Sequence, residues 1–268
     1  MKSSNRSIIL FGDTIIDIDV EAEATGLSLE SPTLKANHVS QNSILGGAAN
    51  VARHLSELGA EVTFVTDVPE NERAHLIAEG INTISLNSGK ANIKKRFWIS
   101  KGDARYKYLQ INETGISPAA SNEPKIKKII ADASFDRVAV SDYRCGLVTK
   151  TLCSQIIRSG MHSFAASQIS DKPANFDWFD GFHIVVCNEK EALHTRRSMR
   201  LCVTLGEGGC RYDGKIFSSE KIEVASAIGA GDAFFAAFIF SEDPVFANDF
   251  AKKFLSHQNG KSDGRPNL

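Results

Sequence analysis

The segment Ile228-Gly229-Ala230-Gly231-Asp232-Ala233-Phe234-Phe235-Ala236-Ala237-Phe238 joins two glycines to an apolar, helix-like run. Peptide N–H groups at Gly229, Ala230 and Gly231 would then lie at a helix N-terminus, where the dipole and the unpaired donors favour an anion. Asp232, in the first turn, faces the same point. A carboxylate repels a phosphate that is merely bound there. It suits a base that takes the proton from an attacking hydroxyl while the amides stabilise a phosphoryl group in transit. A Gly-rich turn with Asp as a favourable first-turn charge accounts for the same residues without chemistry.

Three further clusters carry candidate chemistry. Val203-Thr204-Leu205-Gly206-Glu207-Gly208-Gly209 follows an apolar run, and its glycines let a flat or anionic ligand approach the backbone, as they also serve any tight turn. Asn188 and Glu191 in Asn188-Glu189-Lys190-Glu191 can share a helix face suited to ordering a hydrated Mg2+, or simply start a helix. Leu45-Gly46-Gly47-Ala48-Ala49-Asn50-Val51 leads into an amphipathic stretch, then the apolar Val62–Val65 and Asp67. That order invites a dinucleotide-binding oxidoreductase, with an acidic residue about 20 positions after the glycines. Val51 stands where the third glycine of that fingerprint belongs, and the segment ahead alternates in polarity instead of forming a buried strand.

Elements able to position these residues are visible in the hydrophobic pattern. Ser7–Phe11, Glu61–Thr66, Arg137–Ser141, His183–Cys187 and Leu201–Leu205 are short apolar runs expected as buried strands. Between several of them lie amphipathic stretches at Asn50–Leu58, Glu123–Ala133 and Thr149–Ser159. The alternation implies an α/β fold with a parallel sheet covered by helices. Ile15–Val20, Thr33–Ile44 and Ile93–Ile111 instead alternate with period two, the last around Lys101-Gly102-Asp103, and predict a small β lid standing off the main domain. After His257 the turn formers predict a fraying tail over residues 258–268.

Composition narrows the function classes. With 31 Lys+Arg against 32 Asp+Glu in 268 residues, the chain has no general electrostatic pull toward nucleic acid or an anionic membrane, so an anionic ligand needs a local site. The 5 cysteines form no Cys-x-x-Cys pair and suggest reduced, buried thiols. Asp13 interrupts the run after Ile8–Phe11 before it could be a signal-peptide core, and Ala225–Phe240, broken by Asp232, is too short to span a bilayer. A cytoplasmic protein is expected.

Gly12-Asp13-Thr14-Ile15-Ile16-Asp17, Gly46-Gly47-Ala48-Ala49-Asn50, Asn188…Glu191, Val203-Thr204-Leu205-Gly206 and Gly229-Ala230-Gly231-Asp232 occur in the order and rough spacing of the ribokinase-like (PfkB) carbohydrate kinases. The resemblance runs from about residue 7 to 257. It is greatest to the heptose-phosphate kinase branch, through Gly46–Arg53, Leu29-Glu30-Ser31-Pro32, Lys95-Arg96 and Ser141-Asp142-Tyr143. It implies a three-layer α/β/α sandwich over residues 1–257, with lid strands from about 13–44 and 93–112, acting with ATP and Mg2+ on a sugar or sugar phosphate. Asp232 would be the base and the Gly229–Gly231 amides the anion hole. Asp17, Gly46, Gly47, Asn50 and Asp142 would hold the sugar. Asn188 and Glu191, the latter through water, would serve the magnesium and phosphates, while Thr204, Gly206 and Gly209 would line the ATP side. Lys95, Arg96, Arg105 and Lys107 are candidates to grip a distal phosphate, or form a solvated hairpin face. A kinase-like binder without turnover is the alternative. Exposed apolar residues at Phe97-Trp98-Ile99 would favour a homodimer through the lid.

Departures from the family pattern are local. Ser226-Ala227 replaces the usual Asp-Thr, so monovalent-cation activation is not expected, and Asp67-Val68-Pro69-Glu70 replaces the usual acidic turn. One helix, Val245–Phe254, is left to wall in an adenine. No His-x-Gly-His signature occurs, so a fused nucleotidyltransferase activity is not expected.

Overall fold

The computed structural model describes residues 6–86, 91–115, 119–132, 135–220, 222 and 227–262. Its elements run β1 (Ser7–Gly12), β2 (Thr14–Leu27), β3 (Leu34–Gly47), α1 (Ala48–Glu57), β4 (Glu61–Thr66), α2 (Glu70–Ala78), β5 (Asn82–Ser85), β6 (Asn92–Lys101), β7 (Ala104–Glu113), α3 (Ala119–Asp132), β8 (Arg137–Asp142) and α4 (Lys150–Ser159). There follow β9 (His162–Ser167), β10 (Ile184–Asn188), α5 (Glu189–Ala192), β11 (Leu201–Thr204), β12 (Cys210–Tyr212), β13 (Lys215–Phe217), α6 (Ala230–Ser241) and α7 (Pro244–Ser262).

Nine strands form the central sheet in the order β13-β12-β11-β10-β9-β8-β1-β4-β5. From β11 to β5 every pairing is parallel, and β12 and β13 add an antiparallel hairpin at one edge. Strand β1 shows why both faces must be covered. Ile8 and Leu10 enter one core with α1 and α6, while Ile9 and Phe11 enter the other with α4. Successive side chains point to opposite faces, so a continuous apolar strand demands a helix layer on each side. Helix α6 is apolar all round, with Ala233 to Ile239 buried throughout, as expected of a helix at the centre of such a stack. The α/β/α architecture is therefore the one the alternation implied.

The second sheet has the order β3-β2-β6-β7. Period two sorts its residues. Asp17, Asp19, Arg96 and Trp98 face the main domain across a cavity, whereas Phe97, Ile99, Tyr106, Leu109 and Ile111 take the other face. The expectation of an exposed Phe97-Trp98-Ile99 patch is corrected accordingly: Ile99 is buried and Trp98 turns inward to donate to Asp19 Oδ1 at 2.8 Å. The exposed large apolar residues of this sheet lie on β7, at Tyr106, Tyr108, Leu109 and Ile111, and on β2 and β3, at Leu27, Val39 and Ile44.

Helix α7 continues through Ser262, so residues 258–262 are helical where fraying was expected, and residues 263–268 lie outside the described residues, as does Ser226. No helix among the described residues is long and apolar enough to cross a membrane.

Candidate active site

Three cavities meet around the N-terminus of α6, outside the carboxyl ends of the central strands, where open α/β sheets bind ligands. One of about 360 Å³ lies between the loop after β11 and α7 and is lined by Thr204, Gly206, Gly209, Ala230, Gly231 and Asn248. A smaller one of about 190 Å³ shares Thr204 and Gly231 with it and adds Tyr143, Asn188, Glu191 and Asp232. The third, about 760 Å³, separates the second sheet from α1 and contains Asp17, Asn50, Arg53, His54, Arg96 and Gly229. A groove of about 820 Å³ beside β11 and β12 holds none of the sequence-predicted site residues.

Gly229 caps α6 with φ of 83°, a left-handed conformation that glycine adopts without a Cβ penalty. It aims the first turn of the helix at the junction of these cavities. The Ala230 N–H donates to Ala227 O at 3.3 Å. Gly231 and Asp232 follow in the first turn, whose N–H groups have no acceptor within the helix. Asp232 accepts from Asn50 Nδ2 at 3.2 Å on Oδ2 and from the Tyr143 hydroxyl on Oδ1. Burial pushes the Asp232 carboxyl above its ordinary value, against the hydrogen bonds from Tyr143 and Asn50 and the nearby His54, with Asp17 adding to the rise. Burial and the same Asp232 charge hold the Tyr143 phenol far above its ordinary range, so it stays protonated and donates.

Asp17 stands across the third cavity, 2.7 Å from the Arg96 guanidinium, and Gly46 makes room for it: a Cβ there would lie 2.2 Å from Asp17 Oδ2. Gly47, at φ of 63°, starts α1 with a Cβ position only 2.6 Å from Asp13 O, so the double glycine is required by close approach and by backbone conformation. The strand ahead of it is β3, paired antiparallel to β2 in the second sheet. A dinucleotide fingerprint belongs after a strand of a parallel sheet, and the oxidoreductase reading loses its structural context here.

Other predicted residues are placed differently. Asn188 and Glu191 form a reciprocal capping box at the start of α5, with Glu191 N–H donating to Asn188 Oδ1 at 2.9 Å and Asn188 N–H to Glu191 Oε2 at 2.8 Å. The helix-start alternative therefore accounts for their spacing. Asp142 lines the smaller cavity but is almost fully buried, accepting from Ser167 Oγ at 2.8 Å, Asn175 Nδ2 at 2.7 Å and the Arg144 N–H at 2.8 Å, so its hydrogen bonds hold the loop that follows β8. Of the basic residues on the hairpin, Arg96 lines the third cavity. Lys95, one residue along, falls on the opposite face with its Nζ 5.5 Å from the Phe97 ring centre. Arg105 stacks 3.9 Å over Trp98 and pairs with Glu21 at 2.7 Å, and Lys107 donates to Gln110 at 3.3 Å. Tyr143, whose hydroxyl meets Asp232, stood in the sequence only within Ser141-Asp142-Tyr143, with no role assigned to it.

The α/β/α fold is the one found in a family of carbohydrate kinases. The chain belongs to the pfkB family of carbohydrate kinases, whose profile matches residues 5–241. It is 26% identical over 273 residues to the bifunctional protein HldE of Sulfurimonas denitrificans, covering 90% of this chain and 57% of that protein. It is also 26% identical to HldE of Campylobacter jejuni, covering 87% of this chain and 56% of the relative. The chain thus spans a little over half the length of these relatives. Among solved structures, Escherichia coli phosphofructokinase-2 in complex with fructose-6-phosphate superposes with a TM-score of 0.65 at 14% identity, covering 94% of this chain and 99% of that one. Arabidopsis thaliana ribokinase complexed with ribose and ATP gives 0.61 at 18% identity, covering 92% and 90%.

Proposed function

We propose that the protein transfers the γ-phosphoryl group of ATP to a hydroxyl of a sugar phosphate, with Asp232 as the base. The observation that carries this is the position of the Asp232 carboxylate in the first turn of α6, between the cavity of Thr204, Gly206 and Gly209 and that of Asp17 and Asn50. ATP bound along the former would bring its γ-phosphate to the first-turn amides of α6, and a sugar held by Asp17 and Asn50 would present a hydroxyl to Asp232. Ala230 N–H is already used, so the anion hole rests on Gly231 and Asp232 N–H.

Among the described residues, no group of three or more His, Cys, Asp or Glu side chains could hold a metal ion. Mg2+ commonly keeps several waters and binds through one or two carboxylates and substrate phosphates, a donor set that Glu191 fits with its second carboxylate oxygen. When bound, the ion would neutralise charge developing on the phosphates. A heptose phosphate is the favoured acceptor, on the HldE likeness and on Arg53 and Arg96 in the acceptor cavity, facing Glu79 and Asp17 respectively.

A screen of Mg-dependent ADP release against heptose, hexose and pentose phosphates, free sugars and nucleosides tests the reading. Asp232→Asn should lower turnover by about 10²-fold or more while nucleotide binding is retained. Turnover equal to the wild type would remove Asp232 from the chemistry, and ligand-induced stabilisation with no ADP release for any acceptor would make the protein a binder.

A further inference from the structure

A carboxylate on the first turn of a helix can rotate about two side-chain bonds, so a base that must meet a hydroxyl within about 3 Å has to be held from outside its own helix. Here Asn50 fixes one oxygen and the Tyr143 hydroxyl the other. Tyr143 lies 89 residues from Asp232 in sequence, on the loop that leaves β8. That loop contains Arg144 in a left-handed conformation, φ of 65°, which a non-glycine residue adopts at a cost and retains where its surroundings impose it. The surroundings are Asp142, which takes the Arg144 N–H at 2.8 Å, and Asp13. This carboxylate, only 2% exposed at the end of β1, accepts the Tyr143 N–H at 3.0 Å and the Cys145 N–H at 3.2 Å on Oδ2, and the Leu147 N–H at 3.1 Å on Oδ1. Its own carbonyl takes the Ala48 N–H at 2.9 Å, joining the same point to the start of α1, the helix that carries Asn50.

Resting on the kinase reading above, we propose that Tyr143 is a positioning residue that aims the Asp232 carboxylate at the acceptor hydroxyl, and that Asp13 holds Tyr143 in place by gathering three N–H groups of its loop. Each oxygen of a carboxylate accepts two hydrogen bonds, so the phenol and the Asn50 amide leave a lone pair on each for the incoming hydroxyl. The acceptor's O–H bond breaks as its oxygen bonds to the γ-phosphorus. Its proton passes to Asp232, and ADP leaves with the electron pair of the broken P–O bond. Tyr143 keeps its own proton throughout. Among the described residues, the charged and titratable groups around Asp232 are Tyr143 from the loop after β8, His54 from α1 and Asp17 from β2, with Glu191 from α5 and Asp142 at the end of β8 lining the same cavity.

The test is the carbon-13 titration of the aspartate side-chain carboxyls, with the Asp232 resonance assigned by its loss in Asp232→Asn. In Tyr143→Phe the ring is kept and the donor removed, and the Asp232 midpoint should rise by about half a unit to one unit, since a hydrogen bond favouring the charged form is gone. Asp13→Asn, which turns one acceptor of the loop into a donor, should shift the midpoint in the same direction. Combining the two should add nothing to the larger single shift. In turnover, the acid limb of the pH profile in Tyr143→Phe should move by the same amount, with the KM for ATP unchanged. An Asp232 midpoint in Tyr143→Phe equal to that of the wild type overturns the proposal, whether or not Asp13→Asn folds. Full turnover by Asp232→Asn would instead bring down the kinase reading, and the titration still decides whether Tyr143 governs this carboxylate.

Discussion

Gly46→Ala separates binding of the acceptor from stability of the fold. Gly46 has no left-handed backbone to protect, and an added Cβ would meet Asp17 Oδ2 at 2.2 Å, Asp17 Cγ at 3.4 Å and Ile15 O at 3.6 Å. The conflict is thus confined to the end of one rotatable side chain. To reach ordinary contact the carboxylate must move by about 1 Å, which takes it off its rotamer at about 1 kcal/mol and strains its pairing with Arg96, itself worth about 1 kcal/mol or less. Stability should fall by only about 1–2 kcal/mol, read as a small drop in the urea midpoint. The acceptor loses more. A hydrogen bond from a hydroxyl to a charged carboxylate contributes about 1.5–3 kcal/mol, so kcat/KM for the acceptor should fall by about 10- to 100-fold. The KM for ATP should be unchanged, because the nucleotide-side cavity contains neither Asp17 nor Gly46. An acceptor kcat/KM within twofold of wild type in a folded variant would refute the assignment of Asp17 to the sugar.

Gly12→Ala is the contrasting case: its Cβ would lie 2.4 Å from Ala48 Cβ and 2.6 Å from Ser141 O, neither of which can swing away, so a loss of about 2–3 kcal/mol is expected in urea denaturation. Asp13 makes stability depend on pH. Burial, and then the neighbouring Asp142, raise its carboxyl from 3.8 to about 7 despite three backbone N–H donors. The folded state therefore binds this proton more tightly than the unfolded chain. The contribution is fully present below about pH 4 and is lost as the pH rises through about 7, so the urea midpoint should decline over that window, and less steeply in Asp13→Asn. Glu191→Gln retains a side chain able to complete the cap of α5 but removes its charge, so the Mg2+ concentration for half-maximal rate should rise about tenfold with the melting temperature nearly unchanged. On the outer face of the second sheet, Tyr106, Leu109 and Ile111 are 45%, 46% and 42% exposed. If they join two copies, sedimentation should give a dimer for the wild type and a monomer for Leu109→Asp, whereas a monomeric wild type would discard the lid interface.

What the sequence disclosed followed the strength of each signal. The apolar runs Ile8–Phe11 of β1, Val138–Val140 of β8 and Ala233–Phe240 of α6 announce themselves, because close burial leaves no polar positions within them. β9 reads Ser-Phe-Ala-Ala-Ser over most of its length, and β12 and β13 have three residues each, too few to show a period. The basic residues of the hairpin could have been sorted further. Strict alternation already places Lys95 and Arg96 on opposite faces, but which of them meets the cavity depends on Asp17 and Asp19 in another strand. Asn188 and Glu191 carry the spacing of a capping box, and the local hydrogen bonds took both side chains. Tyr143 was hidden for a different reason: its partner is chosen by the meeting of two strand-to-helix junctions, and no local pattern encodes that.

The order of the central strands explains how residues so far apart come together. After β1 the chain builds β2 and β3 and then β4 on one side of β1, and only later places β8 on the other. Connections therefore leave the carboxyl ends of β1 and β8 in opposite directions, toward β4 and β9, and open a crevice between them. Asp13 sits at that divergence and reaches backbone on both sides, Ala48 through its carbonyl and the loop of Tyr143 through its carboxylate. Because β2 and β3 are inserted between β1 and α1, the sheet bearing Asp17 is rooted at the same crevice it covers. An altered Asp13 should consequently disturb Asn50 and Tyr143 together. Those two donors lie 182 and 89 residues from the Asp232 they both serve, so the geometry of the base depends on the switch in strand order more than on the glycine-rich turn that first draws attention to it.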